Sequence, residues 1–342
     1  MTTSTKHRLI ATEEHFAPIE YFEALRDLPI AEGEGTDQAF MLGVTRDPKL
    51  VARFSEISER LGEMDAAGID HAMLSLNPPG VQIFADAAEA TALGRQMNDA
   101  LAELVRSQPE RFSGLGSIAP QDPPTAAEEI KRIMGPLGLG GVIISSHTHG
   151  RYLDEPEAEP ILAAVEDEGA AVYLHPRVPS PAMVAPYRSY GMVGALWGFQ
   201  AEAGTHAIRL IMSGALDRHP ELKIVLGHLG EALPFWLWRL DNIYSKTIGW
   251  AGEALGMVKL ELKPSEYLQR NFVLTTSGMY DTEILEYCVQ RLGAERIMFA
   301  VDYPYESGEI AAQSLANTNL TDEQRALISH KVAESVFRMG PA

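Results

Sequence analysis

Four separate segments of the sequence carry side chains that could bind a divalent metal ion. Glu13 and His15 stand two residues apart in the first segment, and the later segments contain His175, His228 and Asp302. Two imidazoles and two carboxylates form a nitrogen and oxygen ligand set that suits a transition ion such as Zn²⁺ or Mn²⁺. The sequence therefore predicts a metal site made by Glu13, His15, His175 and Asp302.

Each candidate ligand follows a short apolar run of the kind that forms a buried β-strand. Eight such runs alternate with longer segments of helical periodicity, which is the pattern of repeated βα units. In a (β/α)8 barrel the functional side chains lie at the carboxyl ends of the strands, so residues from distant segments meet there. An open doubly wound sheet would usually have a glycine-rich phosphate loop where this chain has Glu13–His15. We predict a (β/α)8 TIM barrel with strands at Leu9–Thr12, Ala72–Leu76, Gly114–Ile118, Gly141–Ser145, Ala171–Leu174, Lys223–Leu226, Phe272–Thr275 and Ile297–Val301.

The connections between these strands contain the predicted helices and two long insertions. Residues 31–48 are rich in glycine and acidic residues, and residues 178–198 contain several prolines and aromatic residues. Loops of this length often cover a site, so both are candidate lids, and the first could equally be a solvated loop. Helices are predicted at Arg53–Ala67, Ala87–Ser107, Ala126–Met134, Glu159–Glu168, Thr205–Gly214, Thr282–Leu292 and Asp322–Phe337.

The spacing of the first two candidates supports a shared target. Residues two apart in a strand point to the same face, so Glu13 and His15 can chelate one ion while Glu14 points outward. Each residue also has an ordinary structural interpretation: His175 could be packed, and Asp302 could cap a turn. The convergence of several strand ends, each with a possible ligand, is what favours the metal site.

Three further segments carry groups with possible roles beside the metal. Glu231 could hold the imidazole of His228, an arrangement that orients the ring and raises its basicity. Arg239 follows on an apolar helix, where it is either a surface residue or the counter-charge for a substrate carboxylate. His147 and His149 follow the fourth strand and either form the floor of the pocket or lie exposed in a loop.

The composition limits the classes of partner. The formal net charge of -19 repels polyanions, so neither nucleic acid nor a membrane surface is expected to bind. The single cysteine, Cys288, can supply neither an internal disulfide nor a cysteine metal cluster. Met1–Arg8 is polar and lacks the apolar core of a signal peptide, and no later stretch is suited to crossing a bilayer. We predict one cytoplasmic domain, residues 1–342, in which an anionic substrate would need a local cation.

Three motifs together resemble the amidohydrolase-related decarboxylases, a family that includes the γ-resorcylate, 5-carboxyvanillate and aminocarboxymuconate semialdehyde enzymes. The motifs are ATEEHF at Ala11–Phe16, GHLGE at Gly227–Glu231 and DYPY at Asp302–Tyr305. Ser146–Glu155 resembles the 5-carboxyvanillate group, whereas His15 is a feature of the resorcylate type. The resemblance covers nearly the whole chain and implies an amidohydrolase-like barrel that forms a homodimer or homotetramer.

The resemblance also implies a role for each candidate residue. Glu13, His175 and Asp302 would be metal ligands with His15 as a fourth, and the fourth strand has no lysine that could bridge a second metal. One divalent ion, Mn²⁺ or Zn²⁺, is therefore implied. The pair that handles protons would be His228 and Glu231, and the positions that contact the substrate would be Phe199, Arg239, Tyr305 and Arg46.

The implied reaction is non-oxidative decarboxylation of an ortho-hydroxy aromatic acid of the 5-carboxyvanillate or hydroxybenzoate type. Loss of CO₂ leaves an unstable aryl carbanion unless the ring carbon is protonated first, so the site needs an acid. Asp302 is our candidate for this acid, and His228 is the alternative. The same ligands could instead activate water to hydrolyse a lactone, ester or C–C bond of an aromatic-degradation intermediate, and the ligand set alone leaves this second reaction open.

Overall fold

The protein is described by a computed structural model that covers residues 7–339. Most of the polar segment Met1–Arg8, on which the argument against a signal peptide depends, lies outside the described residues. Eight parallel strands form one sheet in which each strand pairs with the next along the chain, as a (β/α)8 barrel requires. The predicted fold is confirmed. The strands are β1 Ile10–Phe16, β2 His71–Leu76, β3 Phe112–Ser117, β4 Gly141–Ser145, β5 Ala171–His175, β6 Lys223–Leu226, β7 Phe272–Thr275 and β8 Ile297–Met298.

Helices fill the connections between the strands, and two of them have the predicted bounds. The predicted helix Arg53–Ala67 is instead two helices, because the backbone is extended at Glu56. Within residues 7–339, no helix combines the length and the apolar character needed to cross a membrane. The helices are α1 Ile19–Asp27, α2 Gly35–Val44, α3 Pro48–Ser55, α4 Ile57–Ala67, α5 Ala87–Ser107, α6 Pro123–Met134, α7 Glu159–Asp167, α8 Gly198–Met212, α9 Ala215–Arg218, the single turn α10 His228–Glu231, α11 Leu233–Thr247, α12 Pro264–Asn271, α13 Thr282–Leu292, α14 Gly308–Ala316, α15 Asp322–Ala326 and α16 Val332–Val336.

The interior of the barrel is apolar toward the amino ends of the strands. Every strand contributes at least one buried side chain to this cluster, and the C-terminal helix α16 packs against it with Val332, Ala333, Val336 and the following Phe337. Burial of each large apolar side chain is worth about 1.5–3 kcal/mol. The amino end of the barrel is therefore a packed core, and polar chemistry is confined to the carboxyl end. The strand residues are Ile10, Met73, Leu115, Ile143, Ala171, Tyr173, Val225, Val273 and Met298.

The seam between β1 and β8 is the least regular part of the barrel. Strand β8 is shorter than predicted, and its continuation bonds to β1 through separate contacts: the Thr12 amide donates to the Phe299 carbonyl at 3.1 Å, and the Asp302 amide donates to the Glu13 carbonyl at 2.9 Å. The register of β1 against β2 also shifts between Ala11 and Glu14. In a regular strand, residues three apart point to opposite faces. The bulge changes this alternation, so that Ile10 and Glu13 both face the interior of the barrel.

The first insertion is not a solvated loop, which corrects one of the two interpretations offered above. It forms helix α2, whose Asp37 is buried together with the preceding Glu34. Both carboxylates bind Arg177, which follows β5: the Arg177 Nε donates to Asp37 at 2.9 Å, and its Nη2 also bonds to Glu34. Burial raises the pKa of Glu34 to about 7 against the opposing field of Arg177. A buried ion cluster thus anchors the insertion to the barrel.

Replacing Arg177 with leucine is expected to lower the free energy of unfolding by about 3–5 kcal/mol, because two buried carboxylates lose their counter-charge. Chemical denaturation monitored by circular dichroism measures this change. Arg209→Leu is the matched control: Arg209 binds Asp154 through the same two nitrogens, Nε and Nη2, but is 39% exposed, so its loss should cost about 1 kcal/mol or less. Equal destabilisation by both substitutions would contradict the anchoring role of Arg177.

Candidate active site

The carboxyl end of the barrel brings four of the predicted site residues together. One ligand atom each from Glu13, His15, His175 and Asp302 lies within 4.8 Å of the others. The His15 Nε2 is 3.3 Å from the Asp302 Oδ1, and the His175 Nε2 is 3.0 Å from the Glu13 Oε1. The two imidazole rings are nearly perpendicular, at 88°, with their centroids 4.7 Å apart. Both nitrogens therefore approach the space between the carboxylates from different directions.

Three atoms of this cluster are buried and have no hydrogen-bond partner among the described residues: the Glu13 Oε1, the His15 Nε2 and the His175 Nε2. Buried polar atoms are almost always paired, because an unpaired one costs about 1–3 kcal/mol. Three unpaired atoms at one place, all of them good ligands for a divalent transition ion, fit a metal site. The chemistry of the residues therefore suits one bound cation.

Neighbouring groups fix the orientation of each ligand. The His175 Nδ1 donates to the Pro176 carbonyl at 2.7 Å, which leaves the lone pair on Nε2 for a metal. The Glu13 Oε2 accepts hydrogen bonds from the hydroxyls of Tyr173 and Thr275, which leaves Oε1 free. Tyr173 is not among the predicted site residues, although its place two residues before His175 in the same strand indicates a side chain on the same face.

The local electrostatics favour ionised carboxylates in the cluster. Burial acts to raise the pKa of Glu13, but His228, His175 and His15 hold it well below its ordinary value. Burial likewise acts to raise the pKa of Asp302, but the neighbouring His15 and His228 rings hold it below its ordinary value. Both groups are therefore anionic at neutral pH, as metal ligands must be.

His228 lies beside this cluster on a strained turn. All five residues from His228 to Ala232 have positive φ, between 51° and 82°, and only one of them is a glycine. Non-glycine residues adopt this conformation rarely and at a cost, and such strain often occurs at functional sites. The turn is held by the His228 amide, which donates to the Ser277 Oγ at 3.1 Å. The imidazole is thereby directed between Glu231 and Asp302.

The contacts of the His228 ring suit proton transfer. Its Nδ1 is 2.8 Å from the Glu231 Oε1, and its Nε2 is 3.8 Å from the Asp302 Oδ2. Burial alone would lower the pKa of His228, but the charges of Glu231 and Glu13 raise it well above its ordinary value. The surroundings of the His228 ring therefore favour its protonated form, whereas those of Asp302 favour the carboxylate.

The four predicted substrate contacts differ in their placement. The Tyr305 ring centroid is 6.2 Å from that of His15, and the Tyr305 hydroxyl donates to the Asn77 Oδ1 at 3.0 Å. Phe199 is half-buried in the first turn of α8. Arg239 and Arg46 have exposed side chains that form no ion pair within residues 7–339. Of these four residues, Tyr305 lies directly beside the cluster of candidate ligand atoms.

The remaining histidines of the carboxyl face have structural environments. His147 is buried and its Nε2 donates to the Val178 carbonyl at 3.1 Å, while burial and the charge of Arg177 lower its pKa to about 2. It is therefore not an exposed loop residue. His149 is half-buried in the same loop.

A buried serine and histidine near this loop have the spacing of a nucleophile and its base, since the Ser146 Oγ is 3.3 Å from the His206 Nδ1. The Leu153 amide donates to the Nε2 of the same ring, so in the neutral form the proton must be on Nδ1. That nitrogen cannot accept the serine proton. Burial also lowers the pKa of His206 to about 3, so the ring is neutral and the pair is structural.

Comparison with known proteins identifies the family. The family described as Amidohydrolase matches residues 17–339, and the chain belongs to it. A curated γ-resorcylate decarboxylase from a Polaromonas species is 35% identical over 340 residues, which cover 96% of this chain and 98% of that protein. The predicted family and the predicted class of enzyme, a carboxy-lyase, are confirmed.

Two solved structures extend this likeness to the fold. The 5-carboxyvanillate decarboxylase of Sphingomonas paucimobilis has a TM-score of 0.92 and 42% identity, and the match covers 98% of this chain and 100% of that one. The 5-carboxyvanillate decarboxylase of Novosphingobium aromaticivorans has a TM-score of 0.92 and 35% identity, with 97% and 96% covered. The latter was solved with manganese and 4-hydroxy-3-methoxy-5-nitrobenzoic acid, an aromatic acid with a hydroxyl group on the ring.

Proposed function

We propose that this protein catalyses the metal-dependent, non-oxidative decarboxylation of an ortho-hydroxy aromatic acid, with 5-carboxyvanillate or a dihydroxybenzoate as the substrate. The observation that carries this proposal is the buried cluster of unpaired ligand atoms beside His228, whose ring lies 2.8 Å from Glu231 and 3.8 Å from Asp302. A cation site and a proton donor are the two things that this reaction needs. The relatives named above act on acids of this type.

Glu13, His15, His175 and Asp302 would hold one divalent ion, and we propose Mn²⁺ or Zn²⁺ because both accept nitrogen and oxygen ligands. Manganese is the ion in the Novosphingobium structure. When bound, the ion supplies the positive charge that attracts the phenolate and carboxylate oxygens of the substrate. A chain with a net charge of -19 needs such a local cation to bind an anion. We also propose that the substrate contacts Phe199, Arg239, Tyr305 and Arg46.

The proton is the second requirement of the reaction. The ring carbon that carries the carboxylate must gain a proton; its bond to the carboxylate then breaks, the electron pair returns to the ring and CO₂ leaves. The lowered pKa of Asp302 and the raised pKa of His228 favour storage of the proton on His228. We propose that Asp302, 3.8 Å away, takes this proton and delivers it to the ring carbon, while Glu231 holds the imidazole in place.

Glu231→Gln is expected to move the alkaline limb of the kcat/KM profile to lower pH by about one pH unit or more, because the opposite charge that raises the pKa of His228 is lost. Activity that depends on protonated His228 is present below that pKa and disappears as the pH rises through it. Measurement of kcat/KM between about pH 5 and 10 tests this expectation, because the alkaline limb of the profile gives the pKa of the essential acid in the free enzyme. A limb at the wild-type position would rule out His228 as the proton store.

The reaction itself is tested by incubating the purified protein in D₂O with 5-carboxyvanillate, 2,6-dihydroxybenzoate or 2,3-dihydroxybenzoate. We expect CO₂ release and deuterium at the ring carbon that lost the carboxylate, for at least one of these acids. Products that contain a new hydroxyl from water and no release of CO₂ would favour the hydrolase instead. Product without ring deuterium would contradict the protonation route.

We also propose that the protein is a cytoplasmic homodimer or homotetramer. Helix α11 exposes 71% of Phe235, 44% of Trp236 and 71% of Trp238, an apolar surface of the kind that self-association covers. Arg239 follows Trp238 on this helix and is exposed as well. Trp238→Glu should therefore shift the mass seen in sedimentation toward the monomer, and an unchanged mass would exclude this surface.

A further inference from the structure

The metal ligands of the first and last strands lie on either side of the irregular seam between β1 and β8. Glu13 and His15 come from β1, and Asp302 follows β8. Beyond Met298 the regular pairing of β8 ends, and the His15 amide donates to the Tyr303 carbonyl at 2.8 Å in its place. Isolated backbone hydrogen bonds, including the one from the Asp302 amide to the Glu13 carbonyl at 2.9 Å, therefore hold the two strands together here in place of a continuous ladder.

One buried side chain from a helix contacts both edges of this seam, in addition to the Thr12 and Glu14 side chains of β1, which bond to the Phe299 carbonyl and the Val301 amide. Arg60 on helix α4 is 1% exposed, and its Nη2 donates to the backbone carbonyl of His15. Its guanidinium also lies over the Tyr303 ring, 4.2 Å from the ring centroid. Tyr303 directly follows Asp302 in the sequence. A planar guanidinium can donate in its plane while stacking with its face, which lysine cannot do.

The position of Arg60 is costly. Its Nε and Nη1 are buried and have no hydrogen-bond partner within residues 7–339. A buried charge with unpaired donors usually destabilises a fold compared with an apolar side chain of similar size. Fold stability alone therefore does not account for an arginine at this position.

We propose that Arg60 is a positioning residue of the metal centre, which holds the backbone of His15 and the ring of Tyr303 so that the ligands from β1 and β8 stay at chelating distance. This inference rests on the proposed ligand set. It assigns a role in metal binding to a residue that touches neither the ion nor the substrate.

The test compares four variants of the full-length protein. Arg60→Met removes the hydrogen bond and the charge, Arg60→Lys keeps the charge, and Tyr303→Leu removes the ring beneath the guanidinium. The control is Arg270→Met, since Arg270 stacks on Tyr267 at 5.1 Å and donates to the Leu216 carbonyl, away from the metal cluster. The measurements are Mn²⁺ affinity by competition with a chelator, the Mn²⁺ electron paramagnetic resonance spectrum, and the unfolding temperature of the metal-free protein.

We expect Arg60→Met and Tyr303→Leu to weaken Mn²⁺ binding by about 10–100-fold and to change the spectrum of the bound ion. Arg60→Lys should weaken it less, and Arg270→Met should bind as the wild type does. Metal-free Arg60→Met should unfold at the wild-type temperature or above it, which a purely structural role would not produce.

Wild-type affinity and spectrum in both Arg60→Met and Tyr303→Leu would overturn the inference. If Arg60→Met does not fold, Arg60→Lys and Tyr303→Leu decide the question in the same way. If the wild-type protein itself binds no stoichiometric Mn²⁺, the proposed metal site fails, and the inference falls with it. Stoichiometric wild-type binding with unaffected variants would overturn the role of Arg60 alone.

Discussion

Asp302→Asn is expected to lower kcat by about 10²–10⁴-fold while the divalent ion stays bound. Asparagine cannot carry a proton from His228, 3.8 Å away, to the substrate ring, but its amide oxygen can remain near the ion. Glu13, His15 and His175 are unchanged in this variant, so most of the ligand set is kept. Initial rates and elemental analysis on the same preparation measure both quantities.

Asp281→Asn is the matched control for this substitution. Asp281 caps α13 by accepting hydrogen bonds from two backbone amides, and asparagine caps helices about equally well. The control should keep its activity. Full activity of Asp302→Asn would exclude Asp302 as the group that delivers the proton, whereas joint loss of metal and activity would make it chiefly a ligand.

Removal of the metal is expected to abolish activity and to lower the unfolding temperature, and added Mn²⁺ should restore both. Without a cation, the Glu13 Oε1, the His15 Nε2 and the His175 Nε2 stay buried without partners. An ion that binds the folded state alone stabilises it by about 4 kcal/mol at a concentration 1,000 times its Kd. Calorimetry and rate measurements before and after treatment with a chelator test this expectation.

Glu13→Gln provides the control for metal removal. This variant lacks the charge of the most buried carboxylate in the cluster, so added Mn²⁺ should raise its unfolding temperature less than that of the wild type. Full activity of chelated protein that holds no metal would contradict the proposed site. If Mn²⁺ raised the unfolding temperature of Glu13→Gln and of the wild type equally, the ion would bind at a site that does not include Glu13.

The features predicted correctly depend on local patterns. Runs of apolar residues indicated the eight strands, and the polar residues that follow them indicated the carboxyl face. The pair Glu13 and His15 could be recognised because a strand repeats every two residues. The contact between His228 and Glu231 could be suggested because only three residues separate them.

The features missed depend on pairs that are distant in the sequence. Arg177 binds Asp37 across 140 residues, and without that contact the first insertion has the composition of a loop. Arg60 contacts Tyr303 only because β1 and β8 close the barrel, so its sequence position indicated no role. The single domain of residues 1–342, the lids and the roles of the individual site residues stay predictions.

The packed amino end of the barrel determines where the substrate enters and where the products leave. Within residues 7–339, helix α16 and the apolar side chains above it pack across the amino end of the barrel axis. Carbon dioxide formed at the carboxyl end would therefore leave through the same open end of the barrel by which the substrate enters. Carbon dioxide and the phenol product would leave through the opening by which the next substrate enters. A substitution that narrows this opening would therefore slow both product release and substrate binding.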